Sequence, residues 1–424
     1  LIKILLNKMA HHLILNKNEM LEILKTYSIF KINKLLFLFS ISFCSISISQ
    51  NNNIAIEGKV VDEFNYGIPY TAITIVSKNL GTSSNEEGSF NFLVSKNETQ
   101  DTLEFSSIGF KTLKISIVDF IKLEDKEIVL QENVTMLSDV VITSSKDYVK
   151  RAVKNLRKTT ITDPHQLNIL YRRWSVEDSI CRFYIEQYIN AVDRGPSSFI
   201  SKFTVKHSRT SADYTYIKRQ QKLHALMYME QQNPLRRGIN VGAYKWKKTG
   251  ASSYDGEDIV IIEGIRNDSE TLRLYIGFDT YGIYKVERYN ILEAGKSIKG
   301  TYIYKKHKDG RLYLSYHNRE WKDQEKYSDR IKSLISSTGK TPPNSIPVGY
   351  RHEVFVLGFE EDKKLFDKSG LTGQMDMTLF KIPYDSNFWK NISLPPETAF
   401  YKKNIADLES IYDVPIDTQF KYSN

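Results

Sequence analysis

Cysteine is nearly absent: the 424-residue chain has two, Cys44 and Cys181. Cys44 falls in a segment expected to be removed, which leaves Cys181 alone and excludes an intramolecular disulfide frame. The fold must therefore rest on its apolar cores. Long apolar runs are also missing, because no stretch reaches the ~18 residues a spanning helix needs. There is no Gly-rich phosphate loop, no Gly-x-Ser-x-Gly elbow, no Cys-x-x-Cys pair and no full zincin motif. Internal repeats and low-complexity blocks are absent as well. Strong charge of one sign is lacking too. The net charge is +9, but the first 49 residues hold six Lys against two Glu, so 53 basic and 48 acidic residues remain beyond them. A surplus of five over 375 residues argues against a nucleic-acid protein and weakly for an anionic surface or partner.

What is present fits a multidomain globular protein, since 424 residues exceed the usual size of one core. Apolar residues make up 41%, and aromatics, chiefly Tyr and Phe, make up 12%, which favours strands. Near the N-terminus, Met20 is the expected translation start. Lys25, Lys31 and Lys34 form a basic n-region, Leu35–Phe43 an apolar h-region, and Ser47-Ile48-Ser49 a small-residue cleavage site before Gln50. This succession predicts an exported protein. Phe43 in front of Cys44 does not fit a lipoprotein signal.

The chain is organised around Ile54–Thr143. Ile54, Ile56, Gly58 and Val60 share one pleat face, with Glu57 and Lys59 on the other. Gly67, then Pro69 at the first residue of a strand, then Asn85-Glu86-Glu87-Gly88, punctuate short alternating runs; Ile108-Gly109-Phe110 bends the chain. The expectation is a small antiparallel β-sandwich. Gly58-x-Val60-x-Asp62, Ile68-Pro69-x-x-Ala72-x-Thr74-Ile75, Thr82-Ser83…Gly88-x-Phe90 and Phe105-Ser106-x-Ile108-Gly109-Phe110 resemble the carboxypeptidase-regulatory-like domain of Bacteroidetes envelope proteins. Leu137-Ser138-Asp139-Val140-Val141-Ile142-Thr143 is similar to the segment that follows that domain ahead of TonB-dependent receptor plugs. The resemblance implies a transthyretin-like, non-catalytic sandwich at residues 50–143. The ~280 residues that follow are too few for a plug and a large barrel.

Residues 144–164 read as a linker helix. Ser144-Ser145 can cap it, Tyr148, Val149, Ala152, Val153 and Leu156 recur at helical spacing, and Lys154, Arg157 and Lys158 suit its C-terminal dipole. Its expected role is a connector packed on the next domain. Residues 165–424 then read as a curved antiparallel sheet of five or more strands with a few helices and a helical or extended closing segment. Hairpins are expected at Gln166–Ser175 with Ile180–Val192, at Leu272–Phe278 with Ile283–Tyr289, and at Thr301–Lys306 with Arg311–Glu320. Other expected strands are Phe199–Lys206, Asp258–Ile265 and Tyr350–Phe359. Gln221–Glu230 is expected to be helical with Leu223, Leu226 and Met227 inward, Asn233–Gly250 a long loop, and Asp323–Pro347 a helix and loop. Pro383-Tyr384-Asp385-Ser386-Asn387-Phe388-Trp389, Ala406-Asp407-Leu408-Glu409 and Gln419-Phe420 resemble the closing segment of envelope proteins that join such a sandwich to a sheet domain. Leu274-Tyr275-Ile276 with Asp279-Thr280-Tyr281-Gly282-Ile283-Tyr284-Lys285-Val286-Glu287 resembles the central hairpin of periplasmic lipoprotein-carrier-like sheets. The fold class expected is mostly β with minor α.

Few residues are candidates for chemistry. His317-x-x-Glu320 matches half of a zinc site, but residues three apart in a strand point to opposite faces, so an exposed strand pair is expected instead. His352-Glu353 lacks the second histidine of a zincin. Cys181 reads as a packed small hydrophobe. Glu263, Asp268, Glu270 and Asp279 are expected at solvated edges and turns. Tyr281, Trp321 and Trp389 are candidate stacking aromatics, and the plain alternative for Trp389 is a plug that closes the sheet. No catalytic, cofactor-binding or metal-binding residue is therefore assigned, and no cofactor is expected. The function expected is a non-catalytic binding or assembly protein of the periplasm or outer membrane, with an envelope protein, glycan or lipid as partner. The alternatives are an envelope hydrolase with an unrecognised site and an accessory component of TonB-dependent uptake. An apolar groove without convergent titratable groups would favour the binding reading.

Overall fold

The computed structural model describes residues 53–133, 144–216, 225–293, 295–372 and 375–423, together with positions 4 and 7. The expected export segment, the Leu137–Thr143 motif and Leu223 lie outside the described residues. Among those described, no helix is long and apolar enough to cross a membrane.

The sandwich has two sheets. One is β4 (Ser89–Ser95), β1 (Asn53–Val61) and β7 (Glu127–Val129); the other is β3 (Leu80–Ser83), β2 (Ala72–Ile75), β5 (Thr102–Ser106) and β6 (Leu113–Ser116). Ile56, Val60, Ile73, Phe90 and Phe105 fill the space between them, joined by Phe120 of the short helix α1 (Ile117–Lys122). The expected all-antiparallel pattern is corrected at one edge, where β7 runs parallel to β1. The chain has crossed the second sheet and α1 by then, and such a crossover returns a strand in its original direction. That pairing explains Gly58, where an added Cβ would sit 2.3 Å from the Lys126 carbonyl oxygen. Gly109 adopts φ +96° at the expected bend. Pro69 stands in a turn, three residues ahead of β2 and not at a strand's first residue. That turn holds Tyr70 at φ 58° and sends its ring onto Tyr316, centroids 4.3 Å apart.

Helix α2 (Ser145–Thr159) is capped by Ser144, whose hydroxyl accepts from the Asp147 N–H at 3.2 Å. Its Tyr148, Val149, Ala152 and Leu156 are buried, as their spacing predicts.

Ten strands form the main sheet: β8 (His165–Glu177), β9 (Ile180–Asp193), β10 (Lys202–Thr210), β11 (Lys245–Tyr254), β12 (Glu257–Arg266), β13 (Glu270–Gly277), β14 (Ile283–Glu293), β15 (Lys296–Lys306), β16 (Leu312–Lys326) and β17 (Ser345–Glu360). Strands β11 to β17 follow one another in space, and β17 then pairs with β8, which leads to β9 and β10. One residue pair, Gly358 with Leu80, ties β17 to β3, so the second sandwich sheet joins the main sheet.

Several sequence expectations are corrected here. Asn233–Gly250 is not a loop: it holds α4 (Pro234–Arg237), a 3-10 turn at Val241–Ala243 and the start of β11. β11 pairs on one side only, and an edge strand tolerates a run as polar as Lys-Trp-Lys-Lys. Pairing also carries polar Asp323–Lys326 into β16, so that only α5 (Asp329–Ser337) and its flanks lie between two long strands. The expected Tyr350–Phe359 strand is the middle of β17, between two partners. The third strand lies at Lys202–Thr210, shifted from Phe199–Lys206. The helix expected over Gln221–Glu230 is α3 (Leu226–Gln231), with Leu226 buried.

One face of this sheet is covered throughout. Ile262, Leu274, Val286 and Tyr302 pack under α2, while Leu167, Tyr171, Ile185 and Val354 pack with Leu226 of α3 and Met377. The opposite face is covered over half its width. There α6 (Ser386–Lys390), α7 (Ala399–Ser410) and α8 (Ile416–Tyr422) lay Trp389, Tyr401, Leu408 and Phe420 over β8 to β10, and Tyr70 of the sandwich lies on β16. The fold is thus mostly β, a sandwich joined to a large antiparallel sheet.

Candidate functional site

Strand register assembles the site. A single cross-strand row contains Lys247, Glu263, Arg273, Glu287, Thr301, Asn318, Glu353, Arg172, Glu186 and Arg209, one residue from each of the ten strands. The row lies on the half-covered face, and opposite charges alternate along each of its ends, with Thr301 and Asn318 between them. At the bare end Arg273 reaches Glu263 at 2.8 Å and Glu287 at 3.5 Å, and it is 45% exposed. Lys285 adds a contact to Glu287 at 2.7 Å, and the Tyr275 hydroxyl donates to the same carboxylate at 3.1 Å. Burial, with Glu287 adding to it, pushes Tyr275 up to about 12. At the covered end Glu186 is fully buried between Arg172 and Arg209.

The next row on this face runs Ile265, Thr271, Tyr289, Lys299, Glu320, Arg351 and Trp174. Together the two rows floor a trough of about 530 Å³ over β12 to β17. The sandwich walls one side through Glu86, which accepts from Arg351 at 2.7 Å; Arg351 also holds Glu353 at 2.7 Å. Burial opposes the Arg351 charge, but these two carboxylates keep the guanidinium firmly protonated. Past Arg351 and Glu320 the trough opens into a second, more apolar hollow of about 410 Å³ lined by Val176, Tyr350 and Phe400, with Lys403 of α7 at its rim.

The sequence-level candidates do not converge. His317 is buried, which corrects its expected exposure: it points to the helix-packed face, where its Nε2 lies 2.7 Å from Glu230 and its ring stacks on Tyr302. Glu320 points the other way, 2.9 Å from Lys322. No bulge separates the two. Buried His352 meets the Tyr171 hydroxyl through Nδ1 at 3.0 Å, whereas Glu353 belongs to the row on the opposite face. Cys181 is packed, and burial pushes its thiol up to about 12, the wrong direction for a nucleophile. Of the four carboxylates expected at solvated positions, Asp268 and Asp279 sit in turns and Glu263 lies in the trough. Glu270 is a correction: it is 3% exposed and held by Arg266 and Arg288. Trp389 is the plug, buried against Leu170 and Phe355. Trp321 stacks on Tyr350, and Tyr281 packs on Tyr148 of α2. Among the described residues no group of three or more metal-ligating side chains converges. Arg273, Glu287, Tyr289, Lys299 and Arg351 escaped the sequence search. Their only signal was charge at alternate positions of strands whose register was unknown.

With this geometry in place, comparison with known proteins gives a partial placement. The chain carries a CarboxypepD_reg-like domain: the model of that family matches residues 56–142, a span that takes in most of the sandwich. No curated protein matches the chain. Among solved structures, the chain is similar to a putative outer membrane lipoprotein-sorting protein domain from Vibrio parahaemolyticus, at 9% identity and a TM-score of 0.28, covering 53% of this chain and 96% of that one. It is also similar to a LolA superfamily protein from Nitrosomonas europaea, at 12% identity and a TM-score of 0.21, covering 52% and 97% respectively. At these scores the likeness bears on neither ligand nor activity.

Proposed function

We propose that the chain is a non-catalytic binding protein of the cell envelope, and that its ligand lies in the trough on the bare half of the sheet. The observation that carries this reading is the trough itself. It is a stretch of that face left uncovered by the sandwich and the closing helices among the described residues, and it is floored by side chains that can exchange partners. Its ionic groups are arranged as cross-strand pairs, without a nucleophile beside a base. Tyr289, with Lys299 5.5 Å from its ring centroid, adds a flat apolar surface between the charges. Paired carboxylates, guanidinium groups, an amide (Asn318) and a ring suit a hydroxylated or zwitterionic ligand, a glycan or a peptide, better than an acyl chain. The groove is polar and lined by titratable groups, so it is not the apolar groove that would have favoured the binding reading; that reading rests on the cross-strand pairing of its ions. Its titratable groups form ladders of ions and no catalytic constellation.

The test is an array of envelope glycans and peptides probed with the whole protein and with Arg273→Ala and Tyr289→Ala variants. Binding that is lost in both variants, with the ligand recovered unaltered, supports the reading. Equal binding by both variants would remove the trough from consideration, and a ligand returned chemically changed would make the protein an enzyme.

A further inference from the structure

The charge surplus of this protein is not spread over its surface. Beyond residue 49 the sequence carries 53 basic and 48 acidic residues, a surplus of five. Helix α2 alone contains six cations, Lys146, Lys150, Arg151, Lys154, Arg157 and Lys158, against one acid, Asp147. Its surplus is also five, so the rest of that stretch is balanced.

All six cations are exposed, because Tyr148, Val149, Ala152 and Leu156 turn the other side of the helix into the sheet. None has a carboxylate at ion-pair distance among the described residues; Arg151 reaches only the Tyr281 hydroxyl, at 3.4 Å. Lys146, Lys150, Lys154 and Lys158 recur every four residues, a stripe of about 18 Å at 1.5 Å rise per residue. The helix dipole accounts for Arg157 and Lys158 in the last turn and for none of the others. Several cations elsewhere are matched in place by carboxylates, as Arg273, Lys285, Arg351 and Lys403 are.

We infer that the outward face of α2 is a docking surface for an anionic phospholipid membrane. Two features favour a lipid surface over an acidic protein. The apolar side of the helix is already used, so the face offers no aromatic or aliphatic anchor of the kind that dominates protein interfaces. Four of its six cations are lysines, which protein interfaces avoid and which act on phosphates as point charges. The contact is electrostatic and peripheral, without insertion.

The experiment is flotation of the full chain with vesicles of phosphatidylglycerol and phosphatidylcholine, beside vesicles of phosphatidylcholine alone. A preference for the anionic vesicles is expected, lost at about 0.5 M salt because the contact is screened. Each cation neutralised should lower partitioning about fivefold, so Lys150→Gln with Lys154→Gln removes most of the preference. Circular dichroism should show both variants folded, since these side chains pack against nothing. Lys332→Gln with Lys340→Gln, placed in another exposed basic segment, should leave the preference intact. No preference in the native chain, or an undiminished one in the α2 variant, would overturn the inference. So would failure on vesicles combined with α2-dependent capture on immobilised poly-glutamate, which would assign the stripe to an acidic protein.

Discussion

Two ends of one cross-strand row carry the same chemistry in opposite order. On the bare half Arg273 lies between Glu263 and Glu287, and on the covered half Glu186 lies between Arg172 and Arg209. The difference between them is what lies on top. Over the covered triad, the ring of Tyr401 sits 5.3 Å from the Arg172 guanidinium, and the rings of Trp389 and Phe420 sit 4.5 and 4.8 Å from that of Arg209. Burial alone would raise the Glu186 carboxyl, but its two arginines more than offset this and hold it below the usual range. Over the exposed triad there is solvent. A charged triad in a dry interior is costly to break, because no water can replace a lost partner. The same triad in water is held weakly and is free to re-pair with a ligand.

The sharpest way to break this comparison is to remove the central residue at the covered end. Glu186→Ala leaves two buried guanidinium groups without their carboxylate, and a loss of about 3–5 kcal/mol is expected in chemical denaturation. A loss below about 1 kcal/mol would mean that water reaches the triad.

Lys305 provides the contrasting case of a buried cation without such a triad. It is 6% exposed, and an added Cβ at Gly81 of the sandwich would lie 3.1 Å from its Nζ. Burial pulls it from 10.5 down to about 8, with Glu104 opposing only in part. The unfolded chain therefore holds this proton more tightly than the folded one. Stability from this group rises as pH goes from about 8 to about 10.5, and below that window the full penalty applies. Lys305→Met should thus stabilise the protein at neutral pH, by roughly 3 kcal/mol from that difference. The gain over the native chain should shrink above pH 8 and vanish near 10.5. No gain at neutral pH would mean that the lysine finds an anionic partner, and a gain independent of pH that it does not come from this proton.

A smaller effect is expected where the sandwich meets β11. The Gly109 N–H donates to the Ser253 carbonyl at 2.7 Å, and at φ +96° a side chain there is strained. Gly109→Val should cost about 1–3 kcal/mol in thermal unfolding; unchanged melting would show that the joint relaxes freely.

The smallest stability effect belongs to the bare end. Arg273→Ala should change stability by about 0.5 kcal/mol, because an exposed pair contributes little. The same variant is expected to abolish trough binding. A large stability loss without loss of binding would invert the comparison.

Much of the framework was legible in the residues. Gly58-x-Val60 and Ile108-Gly109-Phe110 marked the sandwich, because a close strand approach and a positive φ both demand glycine. The apolar spacing in α2 gave both its existence and its buried side. Trp389 was readable as a plug, since an aromatic flanked by Phe388 in a polar segment has to bury somewhere. Polar strands were not readable: β11 and the end of β16 lack an apolar alternation, and only their neighbours' hydrogen bonds hold them extended. Glu270 and His317 were misjudged for a related reason. Both sit in strands, and what covers a strand's face comes from residues distant in sequence.

The sequence by itself determined the local rules: where glycines must bend the chain, which helix side is apolar, and that most of the net charge beyond residue 49 gathers on one helix. Tertiary structure alone decided which charges meet. Glu186 is 14 residues from Arg172 and 23 from Arg209, and their meeting depends on the register of three strands. Whether such a triad is buried or open depends on helices some two hundred residues further along the chain. Pairing and coverage are long-range properties, and residue spacing carries no information about them until the strands are aligned.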